Sequence, residues 1–324
     1  MASRDTAADE VALELLPFIR LYRSGRVERL IDNGTAPASL HDAATGVASK
    51  DVTVDPATGV SVRLYLPPAA GAGAKLPIVV YFHGGGFMVE SADSVPYHRH
   101  LNALAARAGA VAVPVDYRRV PEHQLPAAYD DSWAALAWAV AAAACGSETS
   151  GGSEPEPWLA EHGNPARVFL AGDSAGANIA HNVAMRAAAE GRPAIQGVLL
   201  VHPYFWDASG TMGPELEARI RREWRFMTGN PDARTDDPRL SPASAGAPPL
   251  ALLPAARVLV AVAGEDFLAP KGRAYHAALL ASGWRGEAVL EDTPGEDHVF
   301  HLRQPGTAAA EELMDRVVAF VARA

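Results

Sequence analysis

Apolar residues along this chain gather in short, near-continuous runs separated by longer stretches of helical spacing. Runs at 61–67 (SVRLYLP), 77–82 (PIVVYF), 110–117 (AVAVPVDY), 167–172 (RVFLAG), 197–203 (GVLLVHP), 257–264 (RVLVAVAG) and 287–293 (EAVLEDT) read as strands. From residue 77 onward they lack polar alternation, which predicts strands buried on both faces. Helical patterns occupy 96–108, 127–144, 175–190, 271–282 and 307–323. Strand and helix in alternation predict an α/β fold, a mostly parallel central sheet with helices on both faces.

Two segments break the rhythm. Residues 1–45 carry apolar positions at Val11, Leu15, Phe18, Ile19 and Tyr22, a helical spacing that comes before the first strand. Residues 204–247 are rich in aromatics, arginines and loop formers. Both are expected to lie as cap or lid segments over the loop end of the sheet, within a single domain spanning 1–324. Residues 145–157 (CGSETSGGSEPEP) read as a polar surface loop.

Charge and cysteine content narrow the setting. The formal net charge of -10 disfavours nucleic acid or an anionic membrane as partner. A single cysteine, Cys145, excludes an intrachain disulfide and suits a reducing compartment. The first residues are acidic where a secretion signal is basic, and no apolar run is long enough to span a bilayer. The expected setting is therefore cytoplasmic, or nuclear as well. Asn33-Gly34-Thr35 then reads as a chance sequon.

One turn carries candidate chemistry. Gly172-Asp173-Ser174-Ala175-Gly176 lies where an apolar strand becomes an alanine-rich helix. Gly-x-Ser-x-Gly in that context is the pattern of a nucleophile elbow, a turn so sharp that the serine hydroxyl stands clear. A serine nucleophile needs a base, and the base an orienting carboxylate. Asp266 follows the strand at 257–264, and His298 follows the strand at 287–293, which is the chain order this topology requires. Glu265 and Asp297 are weaker candidates, because adjacent side chains diverge. His301 and His181 are weaker bases, and the remaining histidines, His83 and His202 among them, read as surface or packing residues. No His/Cys/Asp/Glu cluster has metal-ligand spacing, so neither a metal nor another cofactor is expected.

His83-Gly84-Gly85-Gly86-Phe87 follows the strand at 77–82. Its glycines let main-chain N–H groups approach a reacting carbonyl, and the N–H of Ala175 is a further donor to an oxyanion.

These motifs, with DYRRVPEHQLPAAYDD at 116–131 and DDPRLSP at 236–242, resemble the hormone-sensitive-lipase-like branch of the α/β-hydrolases, and more narrowly the plant carboxylesterases. The resemblance covers nearly the whole chain. It implies Ser174 as nucleophile, Asp266 as orienting acid and His298 as general base. It also implies Gly85, Gly86 and Ala175 as oxyanion donors, and the two longer motifs as structural braces. Phe87, Tyr204, Phe205 and Trp206 are expected to line the substrate pocket, with Trp224, Phe226 and the N-terminal segment. An apolar small-molecule ester is the expected substrate, with no obligate protein partner. The same family holds a hormone receptor that lacks the histidine and a dehydratase with threonine for serine. The presence of Ser174 and His298 weighs against both.

Overall fold

In the computed structural model, which describes residues 10–68, 75–145, 156–207 and 209–323, the chain builds two sheets. A small antiparallel sheet comes first, from β1 (Val11–Leu15), β2 (Ile19–Tyr22) and β3 (Val27–Arg29). The main sheet and its helices follow. They are β4 (Ala48–Asp55), β5 (Val60–Leu66), β6 (Leu76–Phe82), α1 (Val95–Ala108) and β7 (Val111–Asp116). Next are α2 (Ala127–Ala144), α3 (Pro157–His162), β8 (Gly163–Asp173), α4 (Ala175–Glu190) and β9 (Ile195–Val201). The chain continues through α5 (Pro214–Thr228), β10 (Ala255–Ala263), α6 (Ala269–Ala281), β11 (Glu287–Thr293), α7 (Phe300–Arg303) and α8 (Ala308–Ala322).

The main sheet is eight-stranded in the order β11-β10-β9-β8-β6-β7-β5-β4. It is parallel from β7 to β11, while β4 and β5 run antiparallel at one edge. Period-two alternation in β6 divides the core. Ile78, Val80 and Phe82 pack toward α2 and α4, whereas Val79 and Tyr81 pack toward α1 and α8. Burial of each such valine, isoleucine or phenylalanine side chain favours the fold by about 1.5–3 kcal/mol relative to exposure.

The N-terminal segment corrects the helical expectation. Val11, Leu13 and Leu15 alternate as well as they fit a helix, and Pro17 interrupts any helix between Leu15 and Ile19. Charge settles the pairing: Arg20 stands directly opposite Glu14 on β1 and Glu28 on β3, bonding to both at 2.7 and 3.2 Å. Opposite charges facing each other across strands stabilise a sheet. The small sheet is tied to the 85–90 loop by Arg29, which donates to the Met88 carbonyl at 2.8 Å and pairs with Glu122.

Residues 204–247 contain a helix, α5, where the loop formers predict none. Ile220, Trp224 and Met227 form its buried stripe. Of the loop expected at 145–157, residues 146–155 lie outside the described residues.

The two longer motifs act as ties. Arg118 and buried Asp131 join through the backbone N–H at 2.9 Å and the guanidinium at 2.7 Å. Tyr129 donates to Asn178 on α4 at 2.8 Å, and Asn178 donates in turn to the Arg239 carbonyl at 2.8 Å. Both motifs thereby anchor the helix that begins beside Ser174.

Candidate active site

Ser174 sits between β8 and α4 with φ 52° and ψ -117°, a strained conformation for a residue with a side chain. Its main chain is held on both sides. The N–H donates to the Val201 carbonyl at 2.9 Å, and the carbonyl accepts from Tyr204 at 3.0 Å. The flanking glycines are required by close approach. A Cβ on Gly172 would lie 2.5 Å from the Gly176 carbonyl carbon, and one on Gly176 still closer to the Phe82 carbonyl.

Asp266 and His298 reach the serine from the ends of β10 and β11. His298 Nε2 is 3.0 Å from Ser174 Oγ, and His298 Nδ1 is 2.7 Å from Asp266 Oδ2. Asp266 is 3% exposed, and its other oxygen accepts the Leu268 N–H at 2.9 Å. A carboxylate only accepts, so it fixes the ring proton at Nδ1 and leaves Nε2 bare toward the serine hydroxyl. The rivals lie elsewhere. Glu265 is exposed, and Asp297 accepts the backbone N–H of His298 at 2.7 Å rather than its ring. His181 meets the Tyr275 hydroxyl at 3.0 Å, and His301 packs edge-on against His100.

Beside Ser174 runs the glycine loop. Gly85 and Gly86 adopt φ of 90° and 61° and line the same cavity as the serine. The N–H groups of Met88 and Val89 both close onto the Gly85 carbonyl at 3.0 Å. The N–H groups of Gly85 and Gly86 take no part in this closure. Ala175 is the first residue of α4, where an N–H has no partner within the helix. The loop is anchored at its start by His83, stacked on Tyr117 at 4.1 Å, whose hydroxyl donates to the His83 carbonyl at 2.7 Å. Complete burial pushes the His83 imidazole down to about 3, so the anchor is neutral.

Asp173, for which the motif alone assigns no role, is buried beneath this turn. The hydroxyls of Tyr81 and Tyr97 donate to its two oxygens at 2.9 and 2.8 Å. Burial raises its carboxyl to about 6 against the opposing effect of those bonds.

A cavity of about 640 Å³ opens over Ser174 and His298. Its walls include Phe18 and Ile31 from the N-terminal segment, and Val95, Tyr204, Phe267 and Leu302. Arg99, Arg219, Arg303, Glu90 and Asp297 add charge to the wall. Of the six aromatics expected to line the pocket from Phe87 and the insertion, Tyr204 does so, and Phe226 is not among the lining residues. Phe87 instead packs edge-on against Tyr129 and Tyr204, fully buried. Phe205 packs against Tyr275 at 4.7 Å, and Trp206 donates to buried Glu217 at 2.9 Å. Trp224 is likewise buried. Phe205, Trp206 and Trp224 face inward with Ile220 and Met227, the apolar positions the insertion buries. The lining residue Phe18 adjoins Leu15 and Ile19, which mark the apolar face of the small sheet. Among the described residues no group of three or more His, Cys, Asp or Glu converges as a metal site would. No helix among them is long and apolar enough to cross a membrane.

Comparison with known proteins places the fold in a family. Residues 79–302 match the α/β-hydrolase fold family. The chain is 45% identical to tuliposide A-converting enzyme 1 of Tulipa gesneriana, over 97% of this chain and 78% of that protein. It is 42% identical to probable carboxylesterase 13 of Arabidopsis thaliana, over 96% and 98% of the two chains. It is 38% identical to 2-hydroxyisoflavanone dehydratase of Glycyrrhiza echinata, over 98% of each. Among solved structures, an esterase of the archaeon Pyrobaculum calidifontis superposes with a TM-score of 0.66 at 27% identity, covering 85% of each chain.

The tulip relatives overturn the cytoplasmic or nuclear expectation, since their names place those proteins in chloroplasts or amyloplasts. That expectation rested on the lack of a basic, apolar leader, which is a criterion for secretion and has no bearing on plastid import. Fold, motifs and relatives agree on one assignment: the chain belongs to the α/β-hydrolase fold family, in its hormone-sensitive-lipase-like plant carboxylesterase branch.

Proposed function

We propose that this protein is a serine carboxylesterase that cleaves a largely apolar small-molecule ester through an acyl-enzyme. The observation that carries the reading is the hydrogen-bonded series Ser174 Oγ, His298 Nε2, His298 Nδ1, Asp266 Oδ2, at 3.0 and 2.7 Å, opening into a cavity. Ser174 Oγ attacks the ester carbonyl carbon while its proton passes to His298 Nε2. Asp266 holds the ring and stabilises the imidazolium. The oxyanion is met by the N–H groups of Gly85, Gly86 and Ala175, each such donor supplying about 3–4 kcal/mol to the transition state. His298 protonates the departing alcohol. A water, deprotonated by the same ring, then attacks the acyl-enzyme, and collapse frees the acid and restores Ser174. In this reading the segments 1–45 and 204–247, of which residues 1–9 and 208 lie outside the described residues, cap the cavity of a single domain, and the plastid of the tulip relatives is the setting to test first.

The 2-hydroxyisoflavanone dehydratase relative supports a second reading, elimination of water on the same scaffold.

The test is hydrolysis of p-nitrophenyl esters from acetate to decanoate, by the wild type beside Ser174→Ala and His298→Ala. Both variants are expected to lose about 10⁵–10⁶ in kcat. Full activity in Ser174→Ala overturns the mechanism. An inactive wild type that dehydrates a 2-hydroxyisoflavanone turns the assignment to the second reading.

A further inference from the structure

We infer that His202 is a positioning residue for His298: its Nδ1 holds the main chain immediately after the base, and so sets where that ring stands. The inference rests on the reading of His298 as general base.

His202 follows β9 directly. Its N–H donates to the Ala261 carbonyl of β10 at 2.8 Å, and its neighbour Val201 accepts the N–H of Ser174. The residue is thus seated between the strand that holds the serine turn and the strand that leads to Asp266. Its backbone adopts φ 47°, which turns the side chain inward beneath the loop after β11. There Nδ1 accepts the N–H of Val299 at 3.0 Å, one residue past the base. The His202 and His298 rings lie 5.9 Å apart, centre to centre.

That hydrogen bond is placed where the chain has least reason to stay. Val299 has φ 51° and ψ 35°, a left-handed conformation that β-branched residues rarely adopt. The turn sends the chain from the His298 loop into α7, and it fixes the direction in which the His298 side chain leaves the backbone. One brace comes from within the loop, where Asp297 accepts the N–H of His298 at 2.7 Å. His202 supplies the brace from the sheet.

A packing role alone does not account for an imidazole here. His202 is 1% exposed and packs against Phe300 and His301, but its Nε2 has no hydrogen-bond partner among the described residues. A buried polar atom without a partner is destabilising, and an apolar ring would fill the space without that penalty. What the imidazole adds is an acceptor at Nδ1. Burial and the nearby His298 hold His202 well below the usual histidine range, so the ring is neutral and Nδ1 is free to accept.

Three variants test the inference on p-nitrophenyl butyrate, each checked for folding by circular dichroism and thermal midpoint. His202→Asn keeps an acceptor, since its amide oxygen stands near the place of Nδ1 and asparagine tolerates positive φ. His202→Leu removes the acceptor and keeps bulk. His202→Gly removes it in a residue to which positive φ is open, and decides the matter if the leucine variant fails to fold. The leucine and glycine variants are expected to lose about ten- to a hundredfold in kcat with KM unchanged, as misplacement of a catalytic group does. Asparagine should restore most of that loss. A folded leucine or glycine variant with wild-type kcat overturns the inference, and so does an asparagine variant as impaired as leucine. His298→Ala, run alongside, separates the two claims. If it too retains activity, the general-base reading has failed. If it is inactive while His202→Leu is not, the positioning role alone has failed.

Discussion

The carbonyl oxygen of Phe82 occupies the space in which a side chain on Gly176 would begin: a Cβ there would overlap it. The oxygen belongs to main chain where β6 ends beside α4, and a Cβ is fixed to the helix backbone, so neither can swing aside. Gly176→Ala is therefore expected to destabilise the protein by about 3 kcal/mol or more, through forced separation of α4 from β6. A denaturation midpoint equal to that of the wild type would contradict this.

Asp266→Asn should leave the fold intact and lower kcat about 10⁴-fold. The amide oxygen can still accept from Leu268, so the local turn survives. The amide nitrogen or a neutral oxygen facing His298 no longer fixes the proton at Nδ1 or stabilises the imidazolium. Turnover of p-nitrophenyl butyrate, with the melting temperature as control, checks the expectation. A loss of only a few-fold would mean that the 2.7 Å contact does not orient the base.

The strands were legible where they are buried on both faces, because only an unbroken apolar run satisfies such a position. The runs at 77–82 and 257–264 correspond to β6 and β10 for that reason. β4 was not legible: ASKDVTVD is an edge strand with one polar face, and Val52 and Val54 are too few to mark a period. The N-terminal spacing suited helix and strand equally, and the cross-strand partners of Arg20 become visible only once the pairing is known. The stripe Ile220, Trp224, Met227 could have revealed α5, but proline, glycine and arginine around it suggested loop. The site was legible because its chemistry needs particular residue types in a fixed order, and Ser174, Asp266 and His298 do converge. The cavity wall was not. Whether Phe87 or Phe18 faces a cavity depends on packing between segments far apart in sequence, and composition carries no trace of it.

Asp131→Ala probes the tie between Arg118 and α2. Asp131 is 3% exposed and accepts from both the backbone and the guanidinium of Arg118. Its removal strands a backbone N–H and a partly buried cation, a change expected to lower stability by about 2–3 kcal/mol. The catalytic rate at a temperature well below melting should hardly move, because Asp131 touches neither the cavity nor Ser174. A large loss of kcat without loss of stability would show that the motif does more than brace.

Stability should also depend on pH through Asp173. Burial raises its carboxyl from 3.8 to about 6 in the folded protein, against the donated hydroxyls of Tyr81 and Tyr97. Between those values the unfolded chain has lost this proton while the native protein keeps it, so the native state binds more protons. Unfolding free energy then falls as pH rises. The contribution is fully present below pH 4, declines from pH 4 to 6, and is lost above, a change of about 3 kcal/mol. Other groups titrate in the same range, so the quantity to follow is the wild-type stability minus that of Asp173→Asn, which cannot ionise. Denaturation of both proteins at pH 4, 5, 6 and 7 should show the difference moving in favour of the asparagine variant from pH 4 to 6 and levelling off by pH 7. A difference that stays flat would mean that the two tyrosine hydroxyls compensate the burial completely. The effect would bear on the site as well, since the Tyr97 hydroxyl that serves Asp173 also accepts the N–H of Gly84 at 2.8 Å, next to the glycines proposed to meet the oxyanion.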